Sequence, residues 1–358
     1  MKNRIIGFDL ARAYAIFGMF LVNFNTVFGS HTNHEGLSGF LNLFNGNSST
    51  LFVILAGMGV SLMSNRNDYT LQERKQIKST ITKRSWFLFL LGIAFYFWWP
   101  ADILHFYGGY MHIAVLFIFL PKKYLLYAAL SAILIFHILF AIIPYDTSWN
   151  FETFMYKDFW TISGFLRNTF YNGWNSIFPW IAFFFLGMYL GRLDWNNSKT
   201  TKKILWISVS VYECIFLMQN FIESFSINKD VLFYLTADYI PPFLPFMLGT
   251  ASFGLILISI FIYIGNKFGN TQIAKILAST GQMTLTHYIA HLTIGFFILS
   301  ILAGKTLSYD MLNEKPTSPL LILIFGVLYF LGSCIFSYWW TQKFKNGPLE
   351  MMMRKVSA

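Results

Sequence analysis

Residues 17–36, FGMFLVNFNTVFGSHTNHEG, place an amide, Asn23, inside an apolar run and two imidazoles, His31 and His34, just beyond it. Histidine near neutral pH is a general base or a nucleophile, and a fixed amide donor can stabilise an oxyanion. Upstream, FDLAR sets Asp9 and Arg12 three residues apart on one helical face. They form either a self-neutralising pair that anchors the helix or a guanidinium site for phosphates. ADILHFYGGYMH, residues 101–112, groups Asp102, His105 and His112, where a sunken carboxylate can orient an imidazole and raise its basicity. Its plain alternative is a hydrogen-bonded turn that caps the next helix. THYIAH holds His287 and His291 at i, i+4, a spacing that suits either a metal or hydrogen bonds within a helical core. Glu213, near the middle of an apolar segment, reads as a proton-relay group or an interhelical partner for a histidine.

The elements that carry these residues are membrane helices. Of the 358 residues, 56% are hydrophobic, 20% aromatic and only 12% charged, too little charge to cover a soluble surface. Apolar helices are expected at 10–28, 49–64, 85–99, 106–121, 124–143, 175–191, 203–222, 242–265, 276–303 and 319–341. This is an all-α polytopic protein of about ten spans. No repeat or soluble segment interrupts it, so 1–358 reads as a single integral-membrane domain. Its outer loops would be 29–48, 100–107, 144–175, 223–241 and 304–318.

Lys and Arg fall 20 on one set of connections and 5 on the other, with Arg12 inside the first helix. The positive-inside rule then makes both termini cytoplasmic. Trp98 and Trp99 at one edge and Trp339 and Trp340 at the other fit an interfacial belt. The net charge of +10 therefore reports topology and not a nucleic-acid groove. The first apolar stretch is long and interrupted by Arg12 and Asn23, which argues for a retained helix over a cleaved signal. Cys214 and Cys334 sit in apolar runs outside any CxxC pair, so disulfide and thiol-redox chemistry lack material. The third span reaches Pro100 about 15 residues after Arg84, about 22 Å of helix against a core of about 30 Å. Asp102 and His105 should then hang below the outer surface. The aromatic loop 145–175 reads equally as an interfacial helix or as a lid over an acceptor.

RIIGFDLARAYAIFGMFLVNF resembles the first helix of the transmembrane acyltransferases related to heparan-alpha-glucosaminide N-acetyltransferase. That pattern is an Asp, two residues, an Arg, usually a Gly, then an apolar run ending in Val-Asn. Here it reads Asp9, Arg12, Val22 and Asn23, with Ala13 in the Gly position. The family's catalytic histidine follows the Asn by eleven residues, which lands on His34; His31 is the competitor. SIFPWIAFFFLGMYLGR, GQMTLTHYIAH and the closing WTQKFKNGPLEMMMRK resemble a bacterial branch of the group.

The resemblance implies transfer of an acyl group, in the first place acetyl, from cytoplasmic acetyl-CoA across the membrane. The acceptor would be a hydroxyl or amine on an extracytoplasmic glycan, cell-envelope component or small molecule. His34, Asn23, Asp102 and His105 would be catalytic, and Arg12 with Asp9 would meet the CoA. No metal and no nucleic acid are expected; membrane lipids surround the chain, and a homodimer is compatible with it. The bacterial plasma (inner) membrane is the expected location. The rival reading is a small-solute or lipid transporter or exporter without acyl transfer, since polar residues in mid-span also describe a permeation path.

Overall fold

The computed structural model describes residues 4–30, 35–66, 68–151, 153–224, 227–305 and 316–358. Helices α1 (Ile6–Phe28), α2 (Gly36–Asn42), α3 (Asn47–Met63), α4 (Leu71–Tyr96), α5 (Leu104–Ala114) and α6 (Lys122–Ile142) lead to a small hairpin. The hairpin pairs β1 (Trp149–Asn150) with β2 (Met155–Tyr156) in antiparallel register. There follow α7 (Ile162–Arg167), α8 (Ile177–Leu190), α9 (Ser198–Phe221), α10 (Lys229–Leu235) and α11 (Leu244–Phe268). The chain closes with α12 (Gln272–Gly281), α13 (Thr284–Ala290), α14 (Phe296–Ala303), α15 (Pro319–Lys343) and α16 (Pro348–Val356). About 75% of the protein is helical, so the all-α class holds.

Among the described residues, seven helices are long and apolar enough to cross a membrane, or eight if the bent pair at 162–190 is one span. The expected spans that fall outside this set are those at 85–99 and 106–121. The first is helical as far as Tyr96 and the second only as far as Ala114: α4 carries Lys83 and Arg84 in its middle, and α5 stops after 11 residues. Helix α4 also starts earlier than hydropathy suggests, because Thr70 and Glu73 form a reciprocal capping box at its N-terminus. The segment at 276–303 is broken at Gln282 and Met283, giving α12 and α13, and a π-helical turn, His291–Gly295, joins α13 to α14.

The chain forms two compact units. The first takes its residues from 1–52, 152–154 and 254–352, the second from 53–151, 155–253 and 353–358. In the first, α1 packs on α12 and α15. Small side chains make this close: Gly7, Ala11, Ala13 and Ala15 are buried along α1, as is usual where helices meet without a hydrophobic driving force. A Cβ on Gly281 would run into the backbone of Asp9 and Ala13. The close approach at Ala13 is thus supplied by the glycine of the partner helix. Phe20 and Phe24 meet Tyr329, Phe325 and Phe330 of α15 edge-on. Such ring pairs add about 0.5–1.5 kcal/mol beyond area burial.

In the second unit glycines again set the crossings. Gly57 lies against the backbone of Phe184 and Gly187 against that of Ile54, reciprocally. Gly92 of α4 lies against the backbone of His105, and Gly108 of α5 against that of Ser85 and Phe89. Helix α9 buries almost nothing: Trp206, Ile207, Phe216 and Phe221 are all more than half exposed. An apolar face of that size belongs in lipid. The protein is a multi-pass membrane protein.

Candidate functional site

Asn23 lies about three-quarters of the way along α1 and faces into the first unit. Its Nδ2 stands 2.8 Å from His291 Nε2, and His291 Nδ1 stands 3.0 Å from the carbonyl oxygen of His287. A carbonyl only accepts, so Nδ1 carries the ring proton and Nε2 receives an N–H from Asn23. His291 is fully buried between Phe20, at 5.0 Å between ring centres, and Tyr288. It opens the π-helical turn, a feature found frequently at functional sites. His287 is held separately, with Nε2 2.7 Å from Ser337 Oγ. The i, i+4 histidines therefore serve two different hydrogen bonds. Among the described residues no three His, Cys, Asp or Glu side chains gather as a metal site would require.

The break before α13 leaves backbone N–H groups that need an acceptor. Glu350 of the closing GPLE provides it. Its Oε1 accepts from the N–H of Leu285 at 2.7 Å and of Thr286 at 3.2 Å, and Oε2 accepts from Thr286 Oγ1 at 2.6 Å. A negative charge at a helix N-terminus also complements its dipole. The C-terminal segment thus fixes the start of α13, which carries His287 and leads into the turn that His291 opens.

Near the start of α1, Asp9 is 1% exposed and accepts from two guanidinium groups. Arg12 Nη1 donates to Oδ1 at 2.8 Å, and Arg4 Nε donates to Oδ2 at 2.7 Å. The self-neutralising pair foreseen in the sequence is real, but Arg4 joins it. Two cations around one carboxylate leave a net positive site, with the Arg12 side chain 24% exposed. That residual charge suits a phosphate ligand.

In the second unit, Asp102 and His105 are both fully buried. Asp102 Oδ2 lies 3.2 Å from His105 Nδ1 and accepts the His105 backbone N–H at 3.1 Å. One oxygen thus reaches both the first turn of α5 and the His105 ring. With Nδ1–H turned to Asp102, Nε2 presents its lone pair and is buried with no partner among the described residues. An unmet buried polar atom costs about 1–3 kcal/mol and is worth a chemical explanation. His112 instead donates Nδ1–H to Gly108 of its own helix at 2.8 Å and packs edge-on against Trp86.

The aromatic loop carries a folded element of its own. The hairpin, α7 and a π-helical turn, Asn168–Asn172, fold around the fully buried Asn172. Asn172 donates to the carbonyls of Tyr145 and Thr147 at 2.9 and 3.0 Å, and its backbone and side-chain oxygens accept from Trp149 and Tyr156. Phe159 stacks on Tyr96 at 3.5 Å and meets the His105 ring edge-on at 5.9 Å.

Arg167 ties the segment together by donating to Tyr156, Ser148 and Asp158. Burial is the largest single influence and would raise the Asp158 carboxyl, but the hydrogen bonds from Arg167 and Ser148 and the charge of Arg167 together outweigh it and hold the group below its ordinary value of 3.8. A carboxyl depressed by folding adds stability that is full above its unfolded value and fades as pH falls through the folded one. Tryptophan fluorescence of the protein is expected to hold down to about pH 4 and to change below it. Arg167→Gln should move that change to higher pH; an identical acid limb in the variant would remove the pair from this account.

His31 and His34 lie outside the described residues. Of the remaining site residues read from the sequence, the structure joins Asp9 to Arg12 and Asp102 to His105. Asn23 belongs to the first unit, and Asp102 and His105 to the second. Glu213 is exposed on α9. The pairing of Asn23 with His291, the third member Arg4 and the capping role of Glu350 were not read from the sequence. The one visible signal was the Gly-Pro break before Leu349 and Glu350, which marks a turn that can aim a carboxylate.

A bundle of apolar helices with an amide–imidazole pair inside it and a carboxylate-bridged arginine pair at the start of its first helix defines an integral-membrane protein with polar chemistry built into its spans. The chain belongs to the family described as heparan-alpha-glucosaminide N-acetyltransferase, catalytic, whose model matches residues 4–218. A second family, described as protein of unknown function (DUF418), matches residues 190–358. No curated protein matches the chain. The family is one of transmembrane acetyltransferases that take acetyl-CoA as donor.

Proposed function

We propose that this protein transfers an acetyl group from cytoplasmic acetyl-CoA to a hydroxyl or amine outside the membrane, on a glycan or another cell-envelope component, in a bacterial inner membrane. The observation that carries this reading is the family match over residues 4–218, which takes in Asp9, Arg12, Asn23 and His34 together. The basic excess on one set of connections supports cytoplasmic termini, with the first helix running from the donor side towards the acceptor side.

In this scheme the guanidinium of Arg12, held by Asp9, meets the CoA phosphates. The neutral imidazole of His34 takes the proton from the acceptor as its oxygen or nitrogen attacks the thioester carbonyl. The new C–O or C–N bond forms, the carbonyl oxygen takes on negative charge, and an N–H of Asn23 stabilises it. Collapse breaks the C–S bond, and the CoA sulfur leaves with the proton that His34 returns. Asp102 and His105 supply a second oriented proton acceptor in the other unit.

The test is release of CoA from radiolabelled acetyl-CoA by purified protein in detergent, with His34→Ala and His31→Ala beside it. His34→Ala is expected to retain acetyl-CoA binding and lose CoA release by roughly 10²–10⁴-fold, with His31→Ala near wild type. Absence of both binding and release in folded wild-type protein would overturn acyl transfer in favour of transport.

A further inference from the structure

We propose that His291 is a positioning residue for Asn23: the buried imidazole takes one hydrogen of the Asn23 amide and so aims the other at the reacting carbonyl. The inference rests on the reading of Asn23 as the oxyanion donor.

The geometry is directional. His291 Nδ1–H is committed to the His287 carbonyl at 3.0 Å, so the neutral ring has a lone pair and no hydrogen at Nε2. A lone pair at 2.8 Å selects the nitrogen end of the carboxamide and rejects the oxygen end. The opposite tautomer would turn the amide over and aim an acceptor where a donor is needed. The ring is confined by its neighbours: Phe20 is tilted against it at 5.0 Å, and Phe24 and Phe296 stand edge-on at 6.1 and 6.3 Å. The His287 carbonyl that sets the tautomer belongs to α13, whose N-terminus Glu350 holds through the two backbone bonds already described. Asn23 itself is only partly buried, so its second N–H remains available to a substrate.

A plain helix-to-helix hydrogen bond would also join these residues, at about 0.6–2 kcal/mol in a membrane. It would leave the turnover of folded protein unchanged. Positioning predicts a different pattern in the acetyl-CoA assay. His291→Ala should lower kcat roughly 10²-fold, the cost of a misplaced group, with KM for acetyl-CoA little changed. Adding Asn23→Ala to it should cost nothing more than Asn23→Ala alone. His291→Gln, which keeps an acceptor oxygen in place of Nε2, should recover part of the rate. Wild-type kcat in His291→Ala, or losses that multiply in the double variant, would overturn the proposal.

A second measurement is independent of acyl transfer. Protein labelled with 15N-histidine, in lipid bilayers, should show His291 with a protonated Nδ1 and an unprotonated Nε2 in solid-state NMR, assigned by its absence in His291→Gln. Asn23→Leu should shift the Nε2 signal. A protonated Nε2, or a signal indifferent to Asn23→Leu, overturns the pairing whatever the enzyme assay gives. If wild-type protein releases no CoA while the NMR pattern holds, it is the functional reading that falls.

Discussion

Replacing Glu350 with alanine is expected to destabilise the protein by about 3–5 kcal/mol, the usual cost of emptying one side of a buried, charge-assisted hydrogen-bond set. The substitution strands the N–H groups of Leu285 and Thr286 and the Thr286 hydroxyl, all of which point at the lost carboxylate. Water is a poor replacement at a site only 9% exposed. Thermal unfolding in detergent, followed by tryptophan fluorescence, should show a midpoint lower by roughly 5 °C or more. Glu350→Gln keeps an acceptor for the backbone pair and should lose much less. The two variants melting together with wild type would mean that the terminal segment merely rests on α13. Because α13 carries His287, whose carbonyl sets the His291 ring, and runs straight into the turn that His291 opens, the alanine variant should also blunt the His291-to-Asn23 pairing.

The second large effect is expected at Asp102. Asp102→Ala removes the cap of α5 and the partner of a fully buried imidazole at once, again about 3–5 kcal/mol. Asp102→Asn separates the two roles. Its amide oxygen can still accept the His105 backbone N–H, so stability should be largely kept. Its uncharged amide is a weaker partner for the ring Nδ1–H, and CoA release should fall by roughly 10²-fold or more if the oriented His105 ring acts during turnover. The pair of measurements is unfolding midpoint and CoA release per folded molecule. Full release in a stable Asp102→Asn protein would leave Asp102 a cap and retire His105 from the chemistry. Gly92 makes the arrangement specific: a Cβ there would strike the His105 backbone and the Asp102 carboxylate.

Much of the fold was legible. Each of the ten apolar segments holds a helix, although the one at 106–121 is helical only as far as Ala114, because hydropathy over some 20 residues is a local property that needs no partner to express itself. The segments that fall short of a span were legible in part. The shortness of the apolar run before Pro100 was visible, whereas the early start of α4 depends on the Thr70–Glu73 box and the early end of α5 on its packing against α4. The aromatic loop was not legible as a folded element. Its core is one asparagine, Asn172, whose four hydrogen bonds join residues from Tyr145 to Tyr156, and composition does not announce which polar residue will become a hub.

By itself the sequence determined the class of protein, the place of the helices, the family pattern through Asp9, Arg12 and Asn23, and the local pairs Asp9–Arg12 and Asp102–His105. Asp9 and Arg12 are three apart on one helix, and Asp102 lies just before α5 and caps its first turn, so local geometry alone brings each pair together. Only the tertiary structure decided what Asn23 meets. Its partner stands 268 residues away, on a helix whose register is set by a break, a π-helical turn and a carboxylate from the chain's last helix. Which polar groups meet across helices depends on where small residues let backbones approach, as Gly281 does at Ala13 and Gly187 at Ile54. That is a property of two surfaces fitted to each other, and neither helix carries it alone.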